Sequence, residues 1–206
     1  MQTKLEKLIS QYRELGIDKQ IDYDKFYLYS LITHSTAIEG STITELENQI
    51  MFDQGISLKG KSMAELNMNL DLKNAYENAV KLANTHADIS IDLLKDFSAL
   101  VMKNTGQEYK TALGAFSSAR GELRLLNVTT GIGGKSYMNY SKVPAKLSEF
   151  CVWLNKEREN YTHKSTIQLY EISFDAHYHL ATIHPWADGT GRMARLLMNM
   201  LQFEFG

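Results

Sequence analysis

Proline is nearly absent. The 206-residue chain carries two prolines and 13 glycines, together about 7% of its residues against the ~12% usual in globular proteins. That shortage excludes collagen-like and low-complexity chains and argues against turn-rich all-β folds, so the chain reads as mainly α-helical. The single cysteine, Cys151, excludes an internal disulfide and a multi-thiolate metal site, and points to a reducing, cytoplasmic setting. Neither sign of charge dominates: 22 Lys and Arg stand against 24 Asp and Glu. A basic field for nucleic acid and an acidic tail are both lacking. No window approaches the ~18 consecutive apolar residues of a membrane span. The N-terminal run MQTKLEKLISQYRELG places Leu5, Leu8, Ile9, Tyr12 and Leu15 at helical spacing with charges between them, where an export signal would be uninterruptedly apolar. What is present is 44% apolar residues, enough for a core without disulfide or metal staples.

No internal repeat or Pro/Ser-rich linker divides residues 1–206, so one domain is expected. Helices are predicted over about 3–15, ended by Gly16, and over about 22–39, ended by Gly40. Thr42 and Glu45 have capping-box spacing for a short helix ending before Gly55. Ser62 and Glu65 repeat it for a long helix to about Ala83. Asp88 or Ser90 caps a fifth helix. Glu122–Val128 and Lys135–Tyr140, around a Gly131–Gly134 turn, read as the one β-hairpin. Pro144 suits the first turn of the next helix, and two more helices follow over about 165–182 and 191–204.

Gly55-Ile-Ser-Leu-Lys-Gly60-Lys61-Ser62 satisfies the phosphate-loop pattern GxxxxGK[ST]. Such a loop needs a buried strand before it, and the preceding TELENQIMFDQ is polar and helical, so the match is a decoy. Gly133-Gly-Lys-Ser136 fails for want of the first glycine, since Thr129 stands there. His177 and His179, two apart on a helix, diverge too far to share a metal. His34, His86 and His163 have no local partners.

The segment His184-Pro185-Trp186-Ala187-Asp188-Gly189-Thr190-Gly191-Arg192-Met193-Ala194-Arg195 carries more. Pro185 stops a helix and biases His184 to extended geometry. Gly189 and Gly191 allow a tight turn whose N–H groups open the next helix, a natural anion site. Arg192 and Arg195, three apart, share a face there, and Met193, Leu196, Leu197, Met200 and Leu201 form the buried face. Asp188 is a hard oxygen ligand beside that cradle, suited to Mg²⁺. A base, a metal carboxylate, an anion nest and two guanidinium groups thus fall within twelve residues.

This segment resembles the signature of the Fic (filamentation induced by cAMP) family, HxFx[DE]GNGRxxR, with Trp186 in place of Phe and Thr190 in place of Asn. Ser35-Thr-Ala-Ile-Glu39-Gly40 resembles the family's inhibitory motif [ST]xxxE[GN], set N-terminal to the signature. The resemblance covers roughly residues 30–201. It implies a helical domain that transfers AMP from ATP, with Mg²⁺ or Mn²⁺, to a Ser, Thr or Tyr hydroxyl of a target protein and of itself. It assigns His184 as general base and Asp188 as the metal ligand. Gly189, Thr190 and Gly191 would cradle phosphates, with Arg192 on the β- and Arg195 on the γ-phosphate. Ser35, Glu39 and Gly40, on an inhibitory helix over about 22–40, would place Glu39 against Arg195. A flap over about 120–140 would hold the target by strand addition. Gly191 favours nucleotidyl transfer over phosphorylation. Two other uses of the same site stay open: removal of AMP, and binding of nucleotide and partner without turnover.

Overall fold

The computed structural model describes residues 4–20, 22–131 and 133–206. Its helices are α1 (Lys4–Glu14), α2 (Tyr23–Ile38), α3 (Glu45–Gln54), α4 (Met63–Thr85), α5 (Ile91–Val101), α6 (Val143–Arg158), α7 (Thr166–Ile183) and α8 (Thr190–Phe205). Among the described residues, two short strands, β1 (Glu108–Thr111) and β2 (Gly114–Ser117), form an antiparallel hairpin. No helix of the described residues is long and apolar enough to cross a membrane.

Helix α8 is the axis of the core. Met193, Ala194, Leu196, Leu197, Met200 and Leu201 are buried along it, against α7 on one side and α4 on the other. On α4, the buried Ala75, Ala79 and Ala83 repeat every four residues, a small-residue ridge that lets the helices close on each other. Each large apolar side chain buried here contributes about 1.5–3 kcal/mol. The start of α8, and with it the glycine loop, is therefore held by the main hydrophobic core.

Two overlapping capping boxes compete before α3, and the second prevails. Thr44, not Thr42, accepts from the Glu47 amide, and the Glu47 side chain accepts in return. Thr42 instead donates its N–H and hydroxyl to Glu65 Oε1 at 2.8 and 2.7 Å, while Glu65 also closes the box with Ser62 at the start of α4. The phosphate-loop decoy dissolves in the same contacts. Lys61 Nζ donates to the Thr42 carbonyl at 2.7 Å and pairs with Glu47 at 3.2 Å, and helix α3 stands where the strand would have to be.

A buried amide network fixes the end of α2. Asn69 on α4 is fully buried. Its Oδ1 accepts from the Thr36 hydroxyl and from Asn48 Nδ2, each at 2.9 Å, and its Nδ2 donates to Ser41 Oγ at 3.1 Å. Buried polar groups robbed of partners cost roughly 1–3 kcal/mol each. Asn69→Ala is therefore expected to destabilise the fold by about 2 kcal/mol or more in urea unfolding; a loss under ~0.5 kcal/mol would show the network to be idle.

Another polar cluster holds the other end of α8. Arg158 and Glu204 form a buried ion pair at 2.9 Å. His86, which sequence alone leaves without a partner, caps α4 in the left-handed region and lies 3.2 Å from both Glu204 and the Tyr161 hydroxyl.

The strands expected over 122–128 and 135–140 do not form. The segment folds back with one bridge, Thr129 to Ser136, plus bonds from the Thr130 amide to the Lys135 carbonyl and from the Tyr137 amide to the Val128 carbonyl, both 3.0 Å. A side chain takes the place of the ladder: Arg124 donates to the carbonyls of Leu126 and Met138, one on each limb. The regular hairpin lies earlier, with Tyr109 opposite Phe116 and their rings stacked 4.8 Å apart. Pro144 occupies the first turn of α6 as expected.

Candidate functional site

The base candidate sits where α7 ends. His184 caps that helix at φ 50° and ψ 64°, its N–H donating to the Leu180 carbonyl at 3.0 Å. This differs from the extended geometry expected before proline. Pro185 removes the right-handed option, and the left-handed capping bond satisfies an orphan carbonyl that an extended residue would leave open. A non-glycine residue held there carries strain of about 1 kcal/mol or more. The strained turn is clamped from outside: the buried Arg124 donates from Nε to the His184 carbonyl at 2.7 Å, and its amide donates to the Pro185 carbonyl at 3.1 Å.

The His184 imidazole lies face to face with the Tyr137 ring, centroids 3.7 Å apart and planes 23° from parallel. Burial pushes the imidazole pKa down to about 4, and the Arg124 charge adds to that push. A hydrogen bond with the Ala181 backbone, which outweighs the Arg124 effect, and the Asp188 and Glu39 carboxylates pull the other way without overcoming burial. Near neutral pH the ring is thus uncharged, with a lone pair available to take a proton.

Asp188 Oδ1 accepts from the Gly189 amide at 2.6 Å and stands 3.7 Å from Arg192 Nη2; its side chain is half-exposed. Gly189 has φ 80°, and a Cβ there would lie 2.5 Å from the Met102 sulfur. Only glycine meets both conditions without rearrangement. For a loop that takes phosphate, Gly189→Ala is expected to weaken nucleotide binding at least about tenfold through displacement of the loop, with local strain of about 1–3 kcal/mol; calorimetric titration with ATP checks this, and unchanged affinity would count against the loop as a phosphate site.

Helix α8 begins at Thr190, and the Met193 amide makes the first bond back, to the Gly189 carbonyl at 2.9 Å. The amides of Thr190, Gly191 and Arg192 belong to the turn that lacks intrahelical acceptors, so they suit an anion. The Thr190 side chain does not join them: it is buried, and its hydroxyl donates to the Trp186 carbonyl at 3.2 Å. Its part in the cradle is its backbone.

The two arginines, expected to share an open face, separate. Arg192 is buried, with Nη2 3.0 Å from the Met102 sulfur and Nη1 3.5 Å from the Val101 carbonyl; Nε has no partner. Burial lowers its pKa, against the opposing pull of Asp188. A buried cation with an unserved donor at a helix start is a fit for phosphate oxygens. Arg195 instead meets α2. Its Nε donates to Ser35 Oγ at 2.8 Å, and its Nη2 donates to the Ser35 carbonyl at 3.0 Å and to Glu39 Oε1 at 2.5 Å. A Cβ on Gly191 would come within 2.9 Å of that same Glu39 oxygen, so the carboxylate stands over the loop. Gly40 follows Glu39 at φ 97°, and the Ser41 amide closes the helix end on the Thr36 carbonyl at 3.0 Å.

Asp188 fits a divalent cation that takes its other ligands from phosphate and water. Among the described residues no group of three or more His, Cys, Asp or Glu gathers into a closed metal site, and an oxygen-ligated Mg²⁺ needs none. His177 and His179 are not brought together with any such group. Two site residues outside the motif, Arg124 and Met102, carry no sequence signal, because each reaches the loop only through the tertiary fold.

Among curated proteins, the chain is similar to protein adenylyltransferase fic-1 of Caenorhabditis elegans, 29% identical over 185 residues, covering 89% of this chain and 33% of that protein. It is 33% identical over 178 residues to protein adenylyltransferase Fic of Drosophila melanogaster, covering 85% of this chain and 32% of that protein. The chain thus spans about a third of the length of these relatives. A solved fragment of Fic-1 from C. elegans superposes with a TM-score of 0.68 at 27% identity, over 90% of this chain and 50% of that one. A Fic-domain-containing signaling protein from Bacteroides thetaiotaomicron shares the fold with a TM-score of 0.80 at 20% identity, over 99% of this chain and 74% of that one. The Fic/DOC family pattern matches residues 88–202, which include the His184–Arg195 loop and more than half of the chain, and the chain belongs to that family.

Proposed function

We propose that this chain is an autoinhibited protein adenylyltransferase, moving AMP from ATP to a hydroxyl of a target protein and of itself. The observation that carries the reading is the junction at the start of α8. There an uncharged His184 and an anion-ready turn adjoin Arg195, whose guanidinium is engaged by Glu39 and Ser35. His184 takes the proton of a Ser, Thr or Tyr hydroxyl as that oxygen attacks the α-phosphorus; the bond to the bridging oxygen breaks and pyrophosphate leaves. The amides of Thr190, Gly191 and Arg192 hold phosphate oxygens, the Arg192 guanidinium neutralises charge on the β-phosphate, and Arg195 serves the γ-phosphate once released. Asp188 would hold a Mg²⁺ or Mn²⁺ ion, which supplies charge neutralisation to the phosphates. The segment over about 120–140 receives the target backbone.

Incubation of wild type, Glu39→Gly and His184→Asn with labelled ATP tests the reading, label being expected in protein for Glu39→Gly above all. No transfer by any form with Mg²⁺ or Mn²⁺ would sink it.

The pH profile carries its own signature. A base whose pKa is depressed stays active as pH falls through 6.5 and fails only as it becomes protonated. The acid limb of the Glu39→Gly rate is therefore expected to fall toward about pH 4, well below the ordinary histidine value of ~6.5. The rate against pH between 4 and 8, at saturating ATP, checks it; half-loss near 6.5 would show an ordinary, solvated histidine.

A further inference from the structure

Two residues outside the motif touch the proposed base. We propose that Arg124 and Tyr137 are positioning residues that couple the 122–140 segment to the His184 imidazole, so that a target docked on the segment orients the base. The catalytic half of this proposal rests on the adenylyl-transfer reading; the structural half does not.

Arg124 is 1% exposed and binds three backbone carbonyls. They are those of His184 at 2.7 Å, Leu126 at 2.8 Å and Met138 at 2.5 Å. A guanidinium offers its donors in a rigid plane, so these three acceptors are held in fixed relation: both limbs of the segment and the base residue itself. No carboxylate shares the site among the ion pairs of the described residues. A buried cation spent wholly on carbonyls contributes geometry more than net stability.

Met138 follows Tyr137 directly, so the grip of Arg124 on the Met138 carbonyl sets where the Tyr137 ring lies. That ring covers one face of the imidazole at 3.7 Å. The lone pair of a ring nitrogen lies in the imidazole plane, so stacking fixes the tilt of the ring and leaves its edge open to an incoming hydroxyl. Among its described residues the segment is loosely paired, by the Thr129–Ser136 bridge and the amide bonds of Thr130 to Lys135 and of Tyr137 to Val128. A peptide that adds backbone hydrogen bonds along it narrows the arrangements open to Tyr137, and through it those open to His184.

The test compares Tyr137→Ala, Tyr137→Phe and Arg124→Lys in the Glu39→Gly form. The His184 ring protons are followed by NMR, assigned by their loss in His184→Asn. The ring current of Tyr137 is expected to displace them upfield in the parent and in Tyr137→Phe, and Tyr137→Ala and Arg124→Lys are expected to abolish the displacement. In transfer assays those two variants lose about ten- to a hundredfold in kcat, the KM for ATP stays within about twofold, and Tyr137→Phe keeps the parental kcat. Tyr137 is half-exposed, so its replacements test the coupling without emptying the core. Unchanged His184 signals in Tyr137→Ala overturn the structural half whether or not any form transfers AMP. Displaced signals lost without a fall in kcat, or a raised KM at constant kcat, overturn the catalytic half.

Discussion

Glu39→Gly is expected to transfer AMP at least about tenfold faster than wild type, a change worth about 1.4 kcal/mol. The expectation does not come from the strength of the Glu39–Arg195 pair. Its side chains are 31% and 18% exposed, and partly exposed pairs contribute only ~0–1 kcal/mol. It comes from place. The Glu39 carboxylate stands within contact distance of the Gly191 position, over the turn that the proposed mechanism gives to the negative charge of a triphosphate. A like charge at ~4–6 Å disfavours the ligand, while Arg195 is occupied on the same account. Glycine removes both obstacles, whereas Glu39→Gln keeps the volume and removes the charge, so it is expected to lie between. Label incorporation at several ATP concentrations measures the series. A Glu39→Gly rate no higher than wild type would overturn the brake, and a Glu39→Gln rate equal to that of glycine would assign the effect to charge alone.

Loss of the base has the opposite sign and a greater size. In the Glu39→Gly form, His184→Asn is expected to lower the rate by ~10²–10⁴-fold, the usual worth of a positioned base. Asparagine suits the purpose better than alanine, because it tolerates the left-handed backbone that His184 adopts and so preserves the α7 cap. ATP affinity is expected to stay within a few-fold, since the proposed mechanism gives the phosphates to backbone amides and Arg192 rather than to the imidazole. A variant that keeps more than about a tenth of the rate would show that His184 is not the base, and one that loses ATP binding would show that the cap, not the chemistry, had been damaged.

Legibility in the sequence followed distance along the chain. The turn and helix start of the His184–Arg195 loop could be read because they are contiguous, and each residue type there has a local reason for its position. The helices, too, could be read from caps and spacing. Thr44 displaced Thr42 as a cap because Glu65, 23 residues on, claimed Thr42. The misplaced strands have the same cause. Glu122–Val128 has a strand's composition, but a buried arginine took the carbonyls its ladder would have used. The true hairpin at Glu108–Ser117 is two strands of four residues with a short turn, too brief for a periodic signal. Helical spacing places Arg192 on one face with Arg195; only the packing of Met102 and Val101 shows it buried. His86 had no partner within reach in sequence, since Glu204 lies 118 residues away.

Trp186 is one of only two tryptophans. It is fully buried two residues from His184, its indole N–H donating to the Gly121 carbonyl at 2.9 Å, while Trp153 is half-buried on α6. The molecule therefore carries a built-in optical probe. The blue-shifted part of its intrinsic emission is expected from the residue that anchors the glycine loop, and the quenchable part from Trp153 on α6. Excitation at the indole band, with an aqueous quencher to silence Trp153, reads the state of the loop in unlabelled protein.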